Sequence, residues 1–295
     1  MRVTYSGKRS IAVAIVALSI TGMAGRSAQA APLPAGTAYA WGANFDGQLG
    51  DGTTTGRTTP VPVHLPAGTY TAVAAGEFHS LALAQDGHVL SWGNNQFGQL
   101  GDGTTVNRTT PDQVSLPAGV TVKAIAAGAY QSLALASDGR VFAWGGNQYG
   151  QLGDGTTANS PTPAAVHLPA GTCVYSLGAG GVQSLAALCD GRALAWGGNM
   201  YGQLGNGSTG GGSTTPVFVH MPAGAHAVAV AGGDIYTLAV TCDGHVLGWG
   251  NNFQGQLGNG TTTSSTTPVR AVLPAGTFAA AVSAGDAQGL AIANP

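Results

Sequence analysis

His79 stands beside Ser80, the juxtaposition from which a base-activated nucleophile is built. The spacing recurs in this chain without the chemistry. The corresponding pairs are Gln131-Ser132, Gln183-Ser184, Tyr236-Thr237 and Gln288-Gly289. A repeated position that accepts His, Gln and Tyr reads as a polar structural site, so no catalytic residue is expected and the chain is not read as an enzyme. The Gly-Gln-Leu-Gly-Asp/Asn-Gly loops carry acids that could attract calcium. Asp51, Asp102 and Asp154 nevertheless become Asn206 and Asn259 in the same loops. One carboxylate per loop is poor for a cation that takes about six to eight oxygens, so no metal site is expected. The glycine-rich segments have no following Lys-Ser/Thr and open no helix, which excludes a phosphate loop. No cofactor is expected.

The elements that carry these residues are repeats. WGANFDGQLGDGTT begins at Trp41, WGNNQFGQLGDGTT at Trp92, WGGNQYGQLGDGTT at Trp144, WGGNMYGQLGNGST at Trp196 and WGNNFQGQLGNGTT at Trp249. The tryptophans, five in all, are spaced by 51, 52, 52 and 53 residues. A second motif precedes four of them, as in AGEFHSLALAQDGHVLSWG from Ala75, and a last copy, AGDAQGLAIANP from Ala284, ends the sequence. Each unit reads as strands: Leu81 and Leu83 alternate with smaller residues, Asp86-Gly87 marks a hairpin with a tight primed turn, and Val89 to Trp92 forms the return. A Gly/Thr-rich loop, a short Val/Pro run and a Leu-Pro-Ala-Gly turn follow. This gives three or four short strands per unit and no helical period. Each Trp follows an alternating strand at the same place in its unit and is expected to pack between blades.

The first 30 residues read as a secretory leader. Arg2, Lys8 and Arg9 precede an uncharged, mostly apolar stretch, and Ala28-Gln29-Ala30 is a small-x-small cleavage pattern. The expected mature chain is a single domain, 31–295, secreted to an extracellular location and not held in a membrane after cleavage. The leader carries Arg2, Lys8, Arg9 and Arg26 and no acid, so the mature chain keeps six bases against 12 acids. Six scattered bases make no phosphate-binding patch, which excludes nucleic acid as a partner. Export permits a disulfide. Cys173, Cys189 and Cys242 leave at least one unpaired, and three small buried hydrophobes is an equal reading.

The sequence opens its repeats with the second half of a unit, the Trp-Gly strand at Thr37–Gly42, and closes with a first half, Ala284–Ala293. Pairing of these halves would close a ring and remove two raw edges. The expectation is therefore an all-β, five-bladed β-propeller closed by its N- and C-terminal strands. The pattern AGxxHSLALxxDGxVxxWGxNxxGQLGxG resembles the RCC1 (regulator of chromosome condensation) repeat. The resemblance covers nearly the whole mature chain and implies a propeller fold, although the family's best-known ring has seven blades. The leader and acidic mature chain argue against that family's nuclear exchange-factor and chromatin roles. In style the chain is similar to secreted bacterial β-lactamase-inhibitor propellers, which bind enzymes through loops on one face.

Recognition in a repeat protein falls on positions that vary while the frame stays constant. After each Ala/Gly-Gly come Glu77-Phe78, Ala129-Tyr130, Gly181-Val182, Asp234-Ile235 and Asp286-Ala287. Ring symmetry places these at one end, so Glu77, Phe78, Tyr130, Val182, Asp234, Ile235 and Asp286 are the candidate contacts for a macromolecular, non-substrate partner, a protein of unspecified identity. A second rosette, Phe45, Phe97, Tyr149, Tyr201 and Phe253, places one aromatic in every unit and reads first as packing. Read as recognition, it suits sugar rings, and a multivalent carbohydrate-binding propeller is the alternative function.

Overall fold

The computed structural model describes residues 38–294, so the leader expected at 1–30 lies outside the described residues. The described residues form 20 antiparallel strands. The first pair is β1 (Tyr39–Gly42) and β2 (Arg57–Pro62). Blade I contains β3 (Tyr70–Ala75), β4 (His79–Ala84), β5 (Val89–Gly93) and β6 (Arg108–Gln113). Blade II contains β7 (Val122–Ala127), β8 (Gln131–Ala136), β9 (Val141–Gly145) and β10 (Ser160–Ala165). Blade III contains β11 (Val174–Ala179), β12 (Gln183–Leu188), β13 (Ala193–Asn199) and β14 (Gly210–Phe218). Blade IV contains β15 (Ala227–Gly232), β16 (Tyr236–Thr241), β17 (Val246–Gly250) and β18 (Ser265–Arg270). The last pair is β19 (Phe278–Ala284) and β20 (Gly289–Asn294). Each blade is a four-stranded meander in chain order, with four strands in every complete unit.

The first strands of neighbouring blades contact one another, β3 with β7, β7 with β11, β11 with β15 and β15 with β19. Apolar residues of the second and third strands pack between blades. Leu133, Leu135 and Val141 of blade II meet Ala186, Leu194 and Trp196 of blade III in one cluster, and Leu185, Ala187 and Ala195 meet Ala239, Leu247 and Trp249 in the next. Trp144, Trp196 and Trp249 are fully buried and Trp92 nearly so, as their place in the repeat predicts.

The Asp-Gly hairpins differ in detail from expectation. Between β4 and β5 the loop has four residues, Gln85-Asp86-Gly87-His88, in which Gly87 N–H donates to the Ala84 carbonyl, with Gly87 at φ 86°. The left-handed conformation is concentrated on the glycine, and the Asp86 carboxylate accepts the His88 N–H.

The expected pairing of the N- and C-terminal strands is not formed. β1–β2 and β19–β20 remain separate two-stranded sheets, so the structure is an arc of four full blades flanked by two half-blades. The physical difference from every other pairing is range. Short turns or loops connect all the paired strands, whereas β20 must find β1 across the whole described chain, at a loop-closure cost no local turn carries.

Candidate interaction face

The frame accounts for the polar residues that first suggested chemistry. His79 is fully buried, and its Nε2 lies 2.7 Å from Ser132 Oγ of the next blade. The Ser132 hydroxyl donates to the Gln99 carbonyl at 2.8 Å, so His79 Nε2–H donates to it and no base faces a nucleophile. The equivalent side chains also clasp the next unit. Gln131 Nε2 donates to the Gly180 and Gln183 carbonyls, Gln183 Nε2 to those of Gly233 and Tyr236, and the Tyr236 hydroxyl to that of Gln288. Desolvation lowers the His79 imidazole to about 4, so it is neutral near pH 7.

The acidic loops are turn locks. Buried Asn44 donates through Nδ2 to Asp51 Oδ1 and to the Thr53 and Thr55 carbonyls, while its Oδ1 accepts the Leu49 N–H. Asp51 also accepts from the Thr53 hydroxyl and N–H and is paired with Arg57 at 2.6 Å. Desolvation pushes its carboxyl up, but these hydrogen bonds and the guanidinium outweigh it and hold the group at about 2. Asn206 and Asn259 take the same place because the position needs an acceptor oxygen for the Asn199 or Asn252 amide.

The variable positions gather at one end of the arc, and the two expected rosettes form one surface. In each blade the loop after the Trp-Gly strand is hydrogen-bonded to the loop that precedes the second strand. Asn94 N–H donates to the Phe78 carbonyl, Gly146 to Tyr130, Gly198 to Val182 and Asn251 to Ile235. Phe78 stacks on Tyr130 with ring centroids 5.3 Å apart, and Phe97 meets the same Tyr130 edge-on at 5.2 Å. Residues from both rosettes and both blades I and II thus form one aromatic cluster. Tyr201 and Phe253 pair edge-on across blades III and IV at 5.8 Å. The second rosette is more open than packing requires: Phe45 is 82% exposed, Phe253 63% and Tyr149 48%. Val182 and Ile235 are half-buried, with Val182 lying over Gly198.

Acids converge on the same end. Partial desolvation raises the Glu77 carboxyl above its ordinary value, and the charges of Asp234 and Asp286 raise it further. Desolvation and Asp286 likewise raise Asp234. Blades I and IV and the last half-blade thus contribute one electrostatically coupled acidic rim beside the aromatic cluster. Asp46, not singled out from the sequence, belongs to this end as well. Its carboxylate accepts from the Asn94 and Asn107 amides and ties the first half-blade to blade I. The signal was available, since Asp46 occupies the place that Phe97 holds in the next unit.

The cysteines depart from the buried-hydrophobe reading. Cys173 and Cys189 form a disulfide at a Cα separation of 5.4 Å, and Cys242 is a free, exposed thiol. Cys189 and Cys242, which share a repeat position, are not partners. The Cys189 N–H donates to the Cys173 carbonyl, so the bridge spans two neighbouring segments of one blade.

Radially packed four-stranded meanders carrying variable loops at one end define a propeller-type repeat protein. Residues 10–291 match the RCC1-like domain, and the chain belongs to that family. It is 32% identical over 237 residues to the ultraviolet-B receptor UVR8 of Arabidopsis thaliana, covering 80% of this chain and 54% of the receptor. It is 34% identical over 242 residues to the human E3 ubiquitin-protein ligase HERC2, covering 79% of this chain and 5% of the ligase. The chain therefore spans about half of one curated relative and a small part of the other. Among solved structures, human WBSCR16 superposes with a TM-score of 0.78 at 25% identity, covering 87% of this chain and 67% of that one. Prp20p of Saccharomyces cerevisiae, studied for its binding to Gsp1p and histones, gives 0.73 at 24% identity, covering 81% and 59%, and shares the fold.

Proposed function

We propose that the chain is a secreted, non-enzymatic interaction module that docks a protein partner on the end bearing Glu77, Phe78, Tyr130, Val182, Asp234, Ile235 and Asp286. The observation that carries this reading is the aromatic cluster of Phe78, Tyr130 and Phe97 beside a coupled acidic rim. Stacked aromatics supply contact area at low entropic cost, and repelling carboxylates gain when a cationic side chain seats among them. The partner class is accordingly a protein presenting Lys or Arg beside an apolar anchor. Protein binding by the Prp20p propeller supports the general mode. The expected leader and the Cys173–Cys189 disulfide support an oxidising, extracellular compartment.

The test is affinity capture from culture supernatant with wild type and with Phe78→Ala/Tyr130→Ala. The reading expects a captured protein that the variant loses while its melting temperature changes little. A large fall in melting temperature would assign the pair to the core instead. The exposure of Phe45, Tyr149 and Phe253 favours a second reading, stacking of sugar rings. A glycan array without binders at high protein density removes it.

A further inference from the structure

The joints between units rest on glutamines. The backbone carbonyl of Gln48, Gln99, Gln151 or Gln203 receives the indole N–H of the next unit's Trp92, Trp144, Trp196 or Trp249, at 2.9 Å in every case. Trp41, the first of the series, is 59% exposed. The glutamine side chains act at the variable end. In blade I, Gln99 Oε1 accepts the Phe97 N–H, and Gln99 Nε2 donates to Asn94 Oδ1 at 2.7 Å. That oxygen also accepts the Gln96 N–H at 3.1 Å. Blade IV repeats the arrangement. Gln256 Nε2 donates to Asn251 Oδ1 at 2.8 Å, and the Phe253 N–H meets the same oxygen at 3.3 Å. Each of these loops is a two-donor site for one amide oxygen, which the residue after Trp-Gly supplies.

Blade III keeps the donors and lacks that oxygen. Gly198 stands where Asn94 and Asn251 stand. Gln203 holds the same stance, its Oε1 accepting the Tyr201 N–H at 2.9 Å. Yet Gln203 is 0% exposed, and its Nε2 has no acceptor among the described residues. The Met200 N–H takes the place of the second donor. A Cβ on Gly198 would fall 2.8 Å from Val182 Cγ2, so a Val182 methyl covers the site. A buried donor without an acceptor carries a desolvation cost that an arriving oxygen would offset. Blade II follows the same pattern with Gly146 and Gln151, whose Oε1 accepts the Tyr149 N–H at 3.0 Å. A Cβ on Gly146 would lie 2.9 Å from Tyr130 Cβ and 3.7 Å from Phe97 Cβ, against the aromatic cluster.

We infer that the Gln203 amide is a recognition donor for a main-chain carbonyl oxygen of the protein partner, admitted when the half-buried Val182 side chain turns aside. The inference rests on the docking face proposed above. Asn94 and Asn251 show that an amide oxygen fits both donors. Charge narrows the ligand further. A Cβ on Gly181, next to Val182, would fall 2.2 Å from Asp234 Oδ1, so a carboxylate borders the site. It repels carboxylate and phosphate oxygens and favours a Lys or Arg beside the bound carbonyl. The ligand class is therefore a neutral peptide carbonyl next to a cationic side chain.

The test compares Val182→Ile with Val182→Ile/Gly198→Asn. The double variant copies the Ile235–Asn251 pair of blade IV, which this chain already folds around, and gives Gln203 an internal oxygen. The probe is N-acetyl-lysine N-methylamide, followed by NMR at the Gln203 side-chain amide of isotope-labelled protein. A saturable shift is expected in wild type and in the single variant. In the double variant the shift should vanish and probe affinity should fall at least about fivefold. A Gln203 resonance that the probe leaves in place overturns the inference, as does a shift that survives in the double variant. Methyl glucoside moving the resonance where the amide does not would give the site to sugar hydroxyls and overturn it equally. Capture from culture supernatant separates this site from the docking face. If Phe78→Ala/Tyr130→Ala loses the partner while the double variant holds it as well as Val182→Ile does, the carbonyl site falls and the face stands. If Phe78→Ala/Tyr130→Ala retains the partner, the face falls and this site with it.

Discussion

His79 and Asp51 show how single side chains set the acid response of the frame. The His79 imidazole is lowered from 6.5 to about 4 by burial. Between these values the unfolded chain binds the proton and the folded chain does not, so stability falls as pH drops from about 6.5 to about 4. His79→Gln installs the side chain that blades II and III use, with the Gly128 and Gln131 carbonyls as its acceptors. The expected result is a stability that is flatter across that window and greater at pH 5 by on the order of 1 kcal/mol, read as a higher melting temperature. Asp51 acts lower on the scale. Its carboxyl is depressed from 3.8 to about 2, so its contribution is complete above pH 4 and is lost as pH falls toward 2. Asp51→Asn keeps the acceptor for Asn44 and loses the Arg57 pair. It should cost about 1–2 kcal/mol at pH 7 and have almost no effect at pH 2, read from urea midpoints at both values.

At the scale of elements, the joint is the repeated unit of stability. A substitution that blocks the indole seat should therefore cost more than one that only strains a turn. Gly153 and Gly119 have φ of 69° and 77°, but a Cβ on Gly153 would lie 2.7 Å from Trp196 Nε1 and one on Gly119 meets nothing within 4 Å. Gly119→Ala isolates the conformational term, about 1–2 kcal/mol. Gly153→Ala adds the steric displacement of a buried indole and its bond to Gln151, expected to bring the loss to roughly 3–5 kcal/mol. Urea denaturation of both variants checks the difference, and equal losses would mean that the indole slot yields freely. The hairpins tolerate more, since their exposed Asp-Arg pairs, such as Asp138–Arg140, add little to stability.

At the scale of the molecule, one covalent bridge and one charged rim separate stability from recognition. The Cys173–Cys189 bridge closes a loop of separation 16 in blade III. Cys173→Ser/Cys189→Ser should lower stability by about 3 kcal/mol through the unfolded chain's regained entropy. Wild type under reducing conditions should match the variant. In the proposed mode of binding, the acidic rim steers encounter with a cationic partner. Raising salt from 50 to 500 mM should slow association far more than dissociation, measurable by surface plasmon resonance once a partner is captured. Asp234→Asn should reduce that salt dependence while leaving the melting temperature nearly unchanged.

The repeat made the frame legible before any coordinates. Period-2 alternation, Asp-Gly pairs and evenly spaced Trp-Gly motifs are local signals, and local hydrogen bonding and burial decide strands and hairpins. The variable pairs Glu77-Phe78 and Asp234-Ile235 were also visible, because a recurring frame exposes whatever departs from it. Contacts between units were not legible. Phe97 and Tyr130 lie 33 positions apart, on different repeat motifs, and only the stacking of blade on blade brings residues of the two apparent rosettes together in the Phe78–Tyr130–Phe97 cluster. Cys189 pairs with Cys173, not with its repeat-mate Cys242, because a disulfide needs a short Cα separation and repeat-equivalent positions are held a blade apart. Sequence symmetry matched Trp41 with the other four tryptophans. Tertiary structure alone set it apart, since burying an indole requires the neighbouring unit to arrive, and for Trp41 that neighbour lies at the other end of the chain.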